Sequence, residues 1–229
     1  MFKTIKNAIT NTIDKTIRNA VTLLSRYFVN LDPVLNSYYE IATPITFVGD
    51  FEIEAEFSTT NTNNQILLGD NHTTSMYFNI DSNSINVYMG GGYERSFAFG
   101  SITLHDGKLH KVKYKLTGTS LEVFLDGTSL GSQTVTLYTG ANNFRIGSSN
   151  SVNQWFDGII ANAKFTDKSG ASDTVTTFKL DKATANTESS IEGNNSVTYT
   201  NIPQSARDLY TLDGTTWTDA AGNTIEVAP

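Results

Sequence analysis

Three glutamates at alternate positions, Glu52, Glu54 and Glu56, offer the most direct chemistry in this chain. Two carboxyl groups on either side of one bond can hydrolyse a glycoside, and the retaining mechanism needs them about 5 to 5.5 Å apart. On a strand, alternate residues share a face, with neighbours about 6.7 Å apart and the outer pair about 13 Å apart at Cα. The outer pair could act only by leaning inward. We therefore interpret the three glutamates as the solvent-facing side of an outer strand and predict no catalytic residue.

Aromatic side chains beside amides are the candidates for glycan binding. Tyr88, Tyr93 and Trp155 lie near turns rich in Gly or Asn, and Asn153 is close to Trp155. A flat apolar ring with polar groups beside it suits one face of a sugar. The alternative for Trp155 and its neighbour Phe156 is that both fill the interior of the domain.

Other common catalytic and cofactor patterns are missing from the sequence. The three histidines, His72, His105 and His110, are scattered, and no Ser-His-Asp order links them to a nucleophile. The glycines at 90–92 lack the Lys-Ser/Thr pair and the helix of a phosphate-binding loop. The chain has no cysteine, which excludes disulfides and thiolate metal sites.

The charge of the chain is unevenly distributed. Residues 1–30 carry five Lys or Arg and one Asp, for +4, whereas the rest carries eleven Lys or Arg and twenty-two Asp or Glu, for −11. An acidic main domain predicts no nucleic-acid partner. No apolar run approaches the roughly 20 residues of a membrane span, so we predict none.

Residues 1–30 have the spacing of an amphipathic helix, used for anchoring or oligomerisation. The apolar residues recur at steps of three or four: Phe2, Ile5, Ile9, Ile13, Ile17, Ala20, Leu24 and Phe28. Asn30 and Asp32-Pro33 would end the helix. Three roles remain open: packing on this domain or on a neighbouring protein, forming a homo-oligomeric stalk with a trimer as the favoured form, and lying on a membrane surface. We assign Ile5, Ile9, Ile13, Ile17 and Leu24 to this contact.

From Tyr38 onward the hydrophobic period is two, which is typical of strands. Segments such as 51–57, 75–80 and 159–165 alternate and are separated by Gly, Asp and Asn clusters. Asp106-Gly107 and Asp126-Gly127 mark turns around a hairpin. Many short strands at this spacing predict two antiparallel sheets packed face to face.

The order of motifs between His105 and Asp167 identifies a family resemblance. It reads D-G-x-x-H-x-V, strand, x-V-x-x-D-G, strand, x-I-G, W-F-x-G-x-I. This order resembles the laminin-G-like, concanavalin A-like lectin-glucanase jelly rolls, over roughly residues 38–167. The resemblance implies an all-β, two-sheet antiparallel jelly-roll sandwich. We place it at residues 36–200, after the N-terminal α-helix of residues 1–30 and before an extended C-terminal tail at 201–229.

The resemblance also bears on calcium and on catalysis. Related domains hold calcium at the rim of the sandwich, and Asp70, Asp81 and Asp157 could supply oxygen ligands. The alternative is that they are ordinary turn residues, since Ala161 and Asn162 stand where relatives carry an acidic pair. Calcium is the one cofactor that the sequence suggests. The three glutamates resemble the glucanase strand E-x-D-x-E, but the central residue is Glu, and the family's preceding Trp-rich segment is missing.

The C-terminal residues resemble the tails of bacteriophage structural proteins. The motifs are T-Y-x-N-I-P, beginning at Thr198, and Y-x-L-x-G-x-x-W, beginning at Tyr210. This resemblance favours a non-enzymatic virion protein, a tail fibre, spike or decoration protein, located on the phage particle and displaying a lectin-like domain for carbohydrate binding on the host surface. Its expected partners are other virion proteins, reached through the helix, further copies of itself, and a cell-surface glycan. A purely architectural capsid or tail protein is the alternative, and a glycan hydrolase is the third.

Overall fold

Strands form nearly all the regular structure that the computed structural model describes, which covers residues 25–69, 76–89, 94–137, 144–149, 154–181, 186–190 and 192–229. In chain order they are β1 (Ser25–Leu31), β2 (Tyr38–Ile41), β3 (Phe51–Ser58), β4 (Gln65–Gly69), β5 (Met76–Ile80), β6 (Ser84–Met89), β7 (Glu94–Ala98), β8 (His110–Thr117), β9 (Ser120–Leu125), β10 (Thr128–Thr134), β11 (Arg145–Ile146), β12 (Gly158–Asp167), β13 (Thr174–Phe178), β14 (Thr187–Ser189), β15 (Ser196–Thr200), β16 (Arg207–Asp213), β17 (Thr216–Asp219) and β18 (Thr224–Glu226). A single 3₁₀ turn, Gln204–Ala206, precedes β16.

The strands form two antiparallel sheets. The ten-stranded sheet has the order β10-β9-β8-β3-β12-β1-β16-β17-β18, with β13 also paired to β12, and the eight-stranded sheet has the order β14-β15-β2-β11-β4-β5-β6-β7. One continuous hydrophobic core contains inward side chains from both, including Phe57, Phe78, Tyr114, Ile146 and Phe165. The all-β, two-sheet sandwich expected from the sequence is therefore confirmed.

Local sequence explains the central strands of the ten-stranded sheet. In β3 the apolar residues are fully buried and the glutamates between them are only partly covered, as a period of two requires. The hairpin between β9 and β10 turns at Asp126 and Gly127, whose φ angles of 51° and 80° are both positive. Asp-Gly is favoured where a two-residue hairpin needs this left-handed backbone.

The prediction of a helix over residues 1–30 is wrong at its C-terminal end. Residues 25–31 form β1, which pairs with β16 from Ser25 to Val29 and with β12 at Asn30 and Leu31. Phe28, assigned by spacing to a helical stripe, is 2% exposed between strands. A run such as Tyr-Phe-Val has strand preference, and the open edges of β12 and β16 provide partners that a helix could not use. Ile5, Ile9, Ile13, Ile17 and Leu24 lie outside the described residues.

The segment expected to be an extended tail is folded. Residues 207–226 form the meander β16–β18, which continues the ten-stranded sheet through β1. A second, smaller core lies there, made by Phe28, Leu109, Ala161, Tyr210 and Ile225. The chain then joins the main sheet at Leu109, which donates its N–H to the Glu226 carbonyl at 2.6 Å and accepts from Ala228 at 2.9 Å. The sandwich thus extends beyond the predicted limits of 36 and 200 at both ends.

In the part of the chain that the structure describes, no helix has the length and apolar character needed to cross a bilayer.

Candidate functional site

The three glutamates of β3 lie on the outer face of the ten-stranded sheet. Glu52 is 3.0 Å from Lys168 Nζ, Glu56 is 3.4 Å from Arg26 Nη1, and Glu54 forms an ion pair with Lys111. The lysines of β8 also stand opposite them in register. Each carboxylate is therefore neutralised by a basic neighbour on a flat sheet face. This arrangement does not hold two carboxylates across a bound sugar, as glycoside hydrolysis requires.

Asp81, one of the three proposed calcium ligands, organises the turn between β5 and β6. Its Oδ1 accepts the backbone N–H groups of Asn83 at 2.8 Å and Ser84 at 2.7 Å, and its Oδ2 accepts the Asn86 amide at 2.9 Å. Burial alone would favour the protonated form, but these donors outweigh it and lower the pKa of Asp81 below 3.8. Both carboxylate oxygens are thus occupied by protein donors.

Asp157 belongs to a separate polar network at the start of β12. Its Oδ2 accepts the Asn61 amide at 3.0 Å, its N–H donates to Gln65 Oε1 at 2.9 Å, and its carbonyl accepts from Thr59 Oγ1 at 2.7 Å. Asp70 lies outside the described residues. Among those described, no group of three or more His, Cys, Asp or Glu side chains is placed to share a metal ion. The calcium site at Asp70, Asp81 and Asp157 stays a prediction.

His110 sits in the interior between two turn aspartates. Its Nδ1 is 2.7 Å from Asp126 Oδ2 and its Nε2 is 3.0 Å from Asp106 Oδ1, and the side chain is 3% exposed. These groups border a depression of about 350 Å³ that Lys108 and Ala228 also line. Because a carboxylate occupies each ring nitrogen, His110 has no nitrogen left to act as a base toward a ligand in that depression.

Trp155 lies on the outside of the eight-stranded sheet, over Tyr38. The two rings are 5.7 Å apart between centroids and inclined at 37°. Tyr38 is on the opposite side of β2 from the core residue Tyr39, because residues alternate along a strand, and it is 9% exposed beneath its neighbours. The next residue after Trp155, Phe156, is fully buried. The two aromatic residues therefore separate: Phe156 fills the interior, and Trp155 does not.

Arg145 and Glu40 complete this group, which we call the β2–β11 cluster: Tyr38, Glu40, Arg145 and Trp155. The Arg145 guanidinium carbon is 4.4 Å from the centre of the Tyr38 ring, and Arg145 Nη2 is 3.6 Å from Glu40 Oε1. β-Sheet register places Arg145 directly opposite Glu40. The cluster thus combines a cation, a carboxylate and two stacked rings on one surface.

Two glycines lie on either side of Trp155 in the sequence, and each is packed closely. Gly147 has φ of 87° and its missing Cβ would meet the Leu31 side chain, and Gly158 has φ of 135° and its missing Cβ would overlap the Ser58 carbonyl oxygen. Both positions need a left-handed backbone and close approach, which only glycine tolerates. Gly147 and Gly158 are therefore held against Leu31 and the β3 backbone, while Trp155 lies outside the core.

Tyr88, another predicted glycan-binding residue, lies on a different strand from this cluster. Tyr88 stacks on Tyr77, with centroids 4.8 Å apart, on the same outer face. Gly69 on β4 lies between Tyr77 and Arg145 in the sheet. The Ser149 side chain lies against Gly69, 3.0 Å from the position that a Cβ of Gly69 would take. In the strand order, β4 and β5 separate β6, which carries Tyr88, from β11, which carries Arg145. Tyr93 and Asn153 lie outside the described residues.

Sequence reasoning missed Tyr38, Glu40 and Arg145. The alternation in Tyr-Tyr-Glu-Ile at 38–41 was a signal that Tyr38 and Glu40 share a face. Arg145 offered no such signal, because it becomes a neighbour of Glu40 only through pairing of strands about a hundred residues apart in sequence.

Solved structures share the fold at low sequence identity. A candidate carbohydrate-binding protein from Bacteroides ovatus aligns with a TM-score of 0.62 and 15% identity, over 89% of this chain and 62% of that chain. Domains LG4-5 of the mouse laminin α1 chain align with a TM-score of 0.54 and 17% identity, over 78% of this chain and 46% of that one. The chain thus spans less than two thirds of either relative. At these identities the likeness concerns the fold alone.

Comparison by sequence gives the family assignment. The sequence matches no curated protein. A family model described as the concanavalin A-like lectin/glucanases superfamily matches residues 36–176, which is more than half of the chain. The two-sheet sandwich and the family model agree, and the chain belongs to the concanavalin A-like lectin/glucanases superfamily.

Proposed function

We propose that this chain is a non-enzymatic glycan-binding protein and that the β2–β11 cluster is where the sugar binds. The observation that carries the proposal is the stack of Trp155, Tyr38 and Arg145 on the outside of the eight-stranded sheet, with rings 5.7 Å apart and the guanidinium 4.4 Å from Tyr38. The Bacteroides ovatus protein that shares the fold, described as a carbohydrate-binding candidate, supports the same ligand class.

The chemistry of the cluster suits a sugar in two ways. An aromatic ring face packs against the C–H groups of a pyranose, and Trp155 is only half-buried, so part of its surface meets solvent. Glu40, whose side chain is 49% exposed, accepts hydrogen bonds, and Arg145 donates them. Because Tyr38 contacts both Arg145 and Trp155, the rings need little ordering when a ligand arrives.

The pairing and the number of the acidic residues favour a binding role over hydrolysis. Glu52, Glu54 and Glu56 lie on the other, ten-stranded sheet, and each is paired with a basic residue. Among the residues that the structure describes, the β2–β11 cluster has one carboxylate, Glu40. Hydrolysis by the usual mechanism needs a second one across the scissile bond.

We further propose that the protein is a bacteriophage virion component that displays this domain for adhesion to host-surface glycans. The support is the resemblance of its C-terminal motifs, from Thr198 and from Tyr210, to the tails of phage structural proteins. Residues 1–24, with their apolar spacing, would attach the domain to other virion proteins or to further copies of itself. A purely architectural role is the second candidate, and it rests on the same N-terminal pattern.

A glycan array with purified protein tests the binding proposal. We expect Trp155→Ala to lower the glycan affinity about 30-fold, because a central aromatic anchor contributes about 2 kcal/mol or more to binding. Phe124→Ala is the matched control, since Phe124 is a half-buried aromatic residue on the outer face of the other sheet. Melting temperatures would verify that both variants are folded. Unchanged binding in Trp155→Ala would exclude the cluster as the site.

Mass measurement separates adhesion from architecture. The architectural role predicts no glycan binding by the wild type and an oligomer that dissociates when residues 1–24 are removed. The deletion stops before Ser25, because β1 begins there and belongs to the sandwich. Glycan binding by the full-length protein would argue against a purely architectural role.

A further inference from the structure

The β2–β11 cluster contains one ion pair, and its two charges are unequally exposed. Glu40 and Arg145 face each other across β2 and β11, with Arg145 Nη2 3.6 Å from Glu40 Oε1, and their side chains are 49% and 19% exposed. The distance exceeds a hydrogen bond, so the charges attract each other without consuming each other's hydrogen-bonding capacity. Within the described residues, Arg145 Nε is buried and has no hydrogen-bond partner, so the guanidinium can meet a ligand only through its terminal nitrogens.

We propose that the glycan bound at this cluster is neutral, and that Glu40 and Arg145 recognise its hydroxyl groups. This inference rests on the proposed glycan-binding function and specifies its ligand class. A sugar hydroxyl is both donor and acceptor, so adjacent hydroxyls can donate to Glu40 and accept from Arg145 at the same time. Hydrogen bonds to charged groups are also stronger than those between neutral groups.

An acidic sugar gains little from the same pair. A carboxylate placed beside Arg145 would also lie close to Glu40, so attraction and repulsion of similar size would oppose each other. The cost of removing the carboxylate from water would remain. The net charge of −7 adds a long-range repulsion.

The residues on the adjacent strand fit the same ligand class. Thr198 stands opposite Glu40 in register, and Thr200 stands opposite Tyr38. Both are on the outer side of β15, because Val197 and Tyr199, which alternate with them, belong to the core. Their hydroxyls extend the surface with uncharged donors and acceptors, which match a neutral polyol.

The test is an array of paired glycans, each present as a neutral chain and as the same chain ending in sialic acid. We expect the wild type to bind neutral members. Glu40→Gln removes the repelling charge and leaves Arg145, so the ratio of sialylated to neutral binding should rise about tenfold. Arg145→Gln should lower neutral binding by about tenfold. Asp208→Asn, which makes the same charge change as Glu40→Gln at an exposed site on β16, should leave the ratio unchanged.

Several results would distinguish this inference from the function on which it rests. A wild type that binds only sialylated chains, or a ratio that Glu40→Gln leaves unchanged, overturns the neutral ligand while glycan binding stands. A wild type that binds no glycan overturns both. Salt provides a check that needs no variant: neutral binding should hardly change between low and high ionic strength, and a steep fall with salt would contradict the inference.

Discussion

His110 Nδ1 lies 2.7 Å from Asp126 Oδ2, which joins the first residue of β8 to the turn that ends β9. Asp106 holds the other nitrogen at 3.0 Å. Burial disfavours the imidazolium, but the hydrogen bonds to Asp126 and Asp106 outweigh this cost and raise the pKa of His110 above 6.5. His110 therefore bridges two turns of the ten-stranded sheet, and both contacts favour its protonated form.

This bridge predicts a loss of stability with rising pH. Since the pKa is higher in the folded state than in the unfolded chain, the stabilisation is complete below about pH 6.5 and is lost as pH rises through the folded-state pKa. Urea unfolding between about pH 6 and about pH 9 measures it. His110→Gln should cost about 1–3 kcal/mol at the lower pH and flatten this dependence. His105→Gln is the control and should retain the wild-type slope. A slope that survives in His110→Gln would contradict the assignment.

The second prediction concerns Phe28 and the small core under the C-terminal meander. Phe28→Ala should lower the free energy of unfolding by about 3 kcal/mol, because the ring is 2% exposed and lies in edge contact with Tyr210 and Trp217. Tyr27→Ala is the matched control: Tyr27 is adjacent on β1 but half-buried on the opposite face, and its loss should cost much less. Urea denaturation measures both. Equal losses would argue against the alternation of a strand.

The third prediction separates the structural role of Asp81 from calcium binding. Asp81→Asn replaces an acceptor by an amide that cannot satisfy Asn86, so it should cost about 1–3 kcal/mol. The loss should be the same with and without a chelator, as measured by the melting temperature. The opposite result would be a chelator that lowers the melting temperature of the wild type but not that of Asp81→Asn. That result would make Asp81 a metal ligand.

Lowering the pH should also remove the stabilisation that Asp81 provides. Because the pKa of Asp81 is lowered in the folded state, its stabilisation is present above about pH 4 and is lost as pH falls through the folded-state pKa. Asp81→Asn should therefore unfold with a weaker acid dependence than the wild type.

The fourth prediction concerns the outer glutamates of β3. The double variant Glu52→Gln, Glu56→Gln breaks the ion pairs with Lys168 and Arg26. Partly exposed pairs contribute about 0–1 kcal/mol each, so the loss of stability should be small. Glycan binding should be unchanged, and neither protein should release reducing sugar from polysaccharides. Release by the wild type that the double variant lacks would show catalysis.

The central strands and their hairpin were predictable because their signals are local. Phe51 to Phe57 alternates between apolar and acidic residues, and that alternation determines which side chains enter the core. The Asp126-Gly127 turn likewise follows from the preference of glycine for a left-handed backbone. The family resemblance added the two-sheet architecture, which the strand pattern supports.

Tertiary structure decided what local patterns could not. Phe28 fits a helical stripe as well as a strand, and the free edges of β12 and β16 selected the strand. Asp81 and Asp157 look alike in sequence as turn carboxylates, but each is satisfied by different donors in a different network. Arg145 meets Glu40 and Tyr38 only because strands distant in sequence pair in one register. Such contacts depend on long-range pairing, which alternation and turn chemistry do not encode.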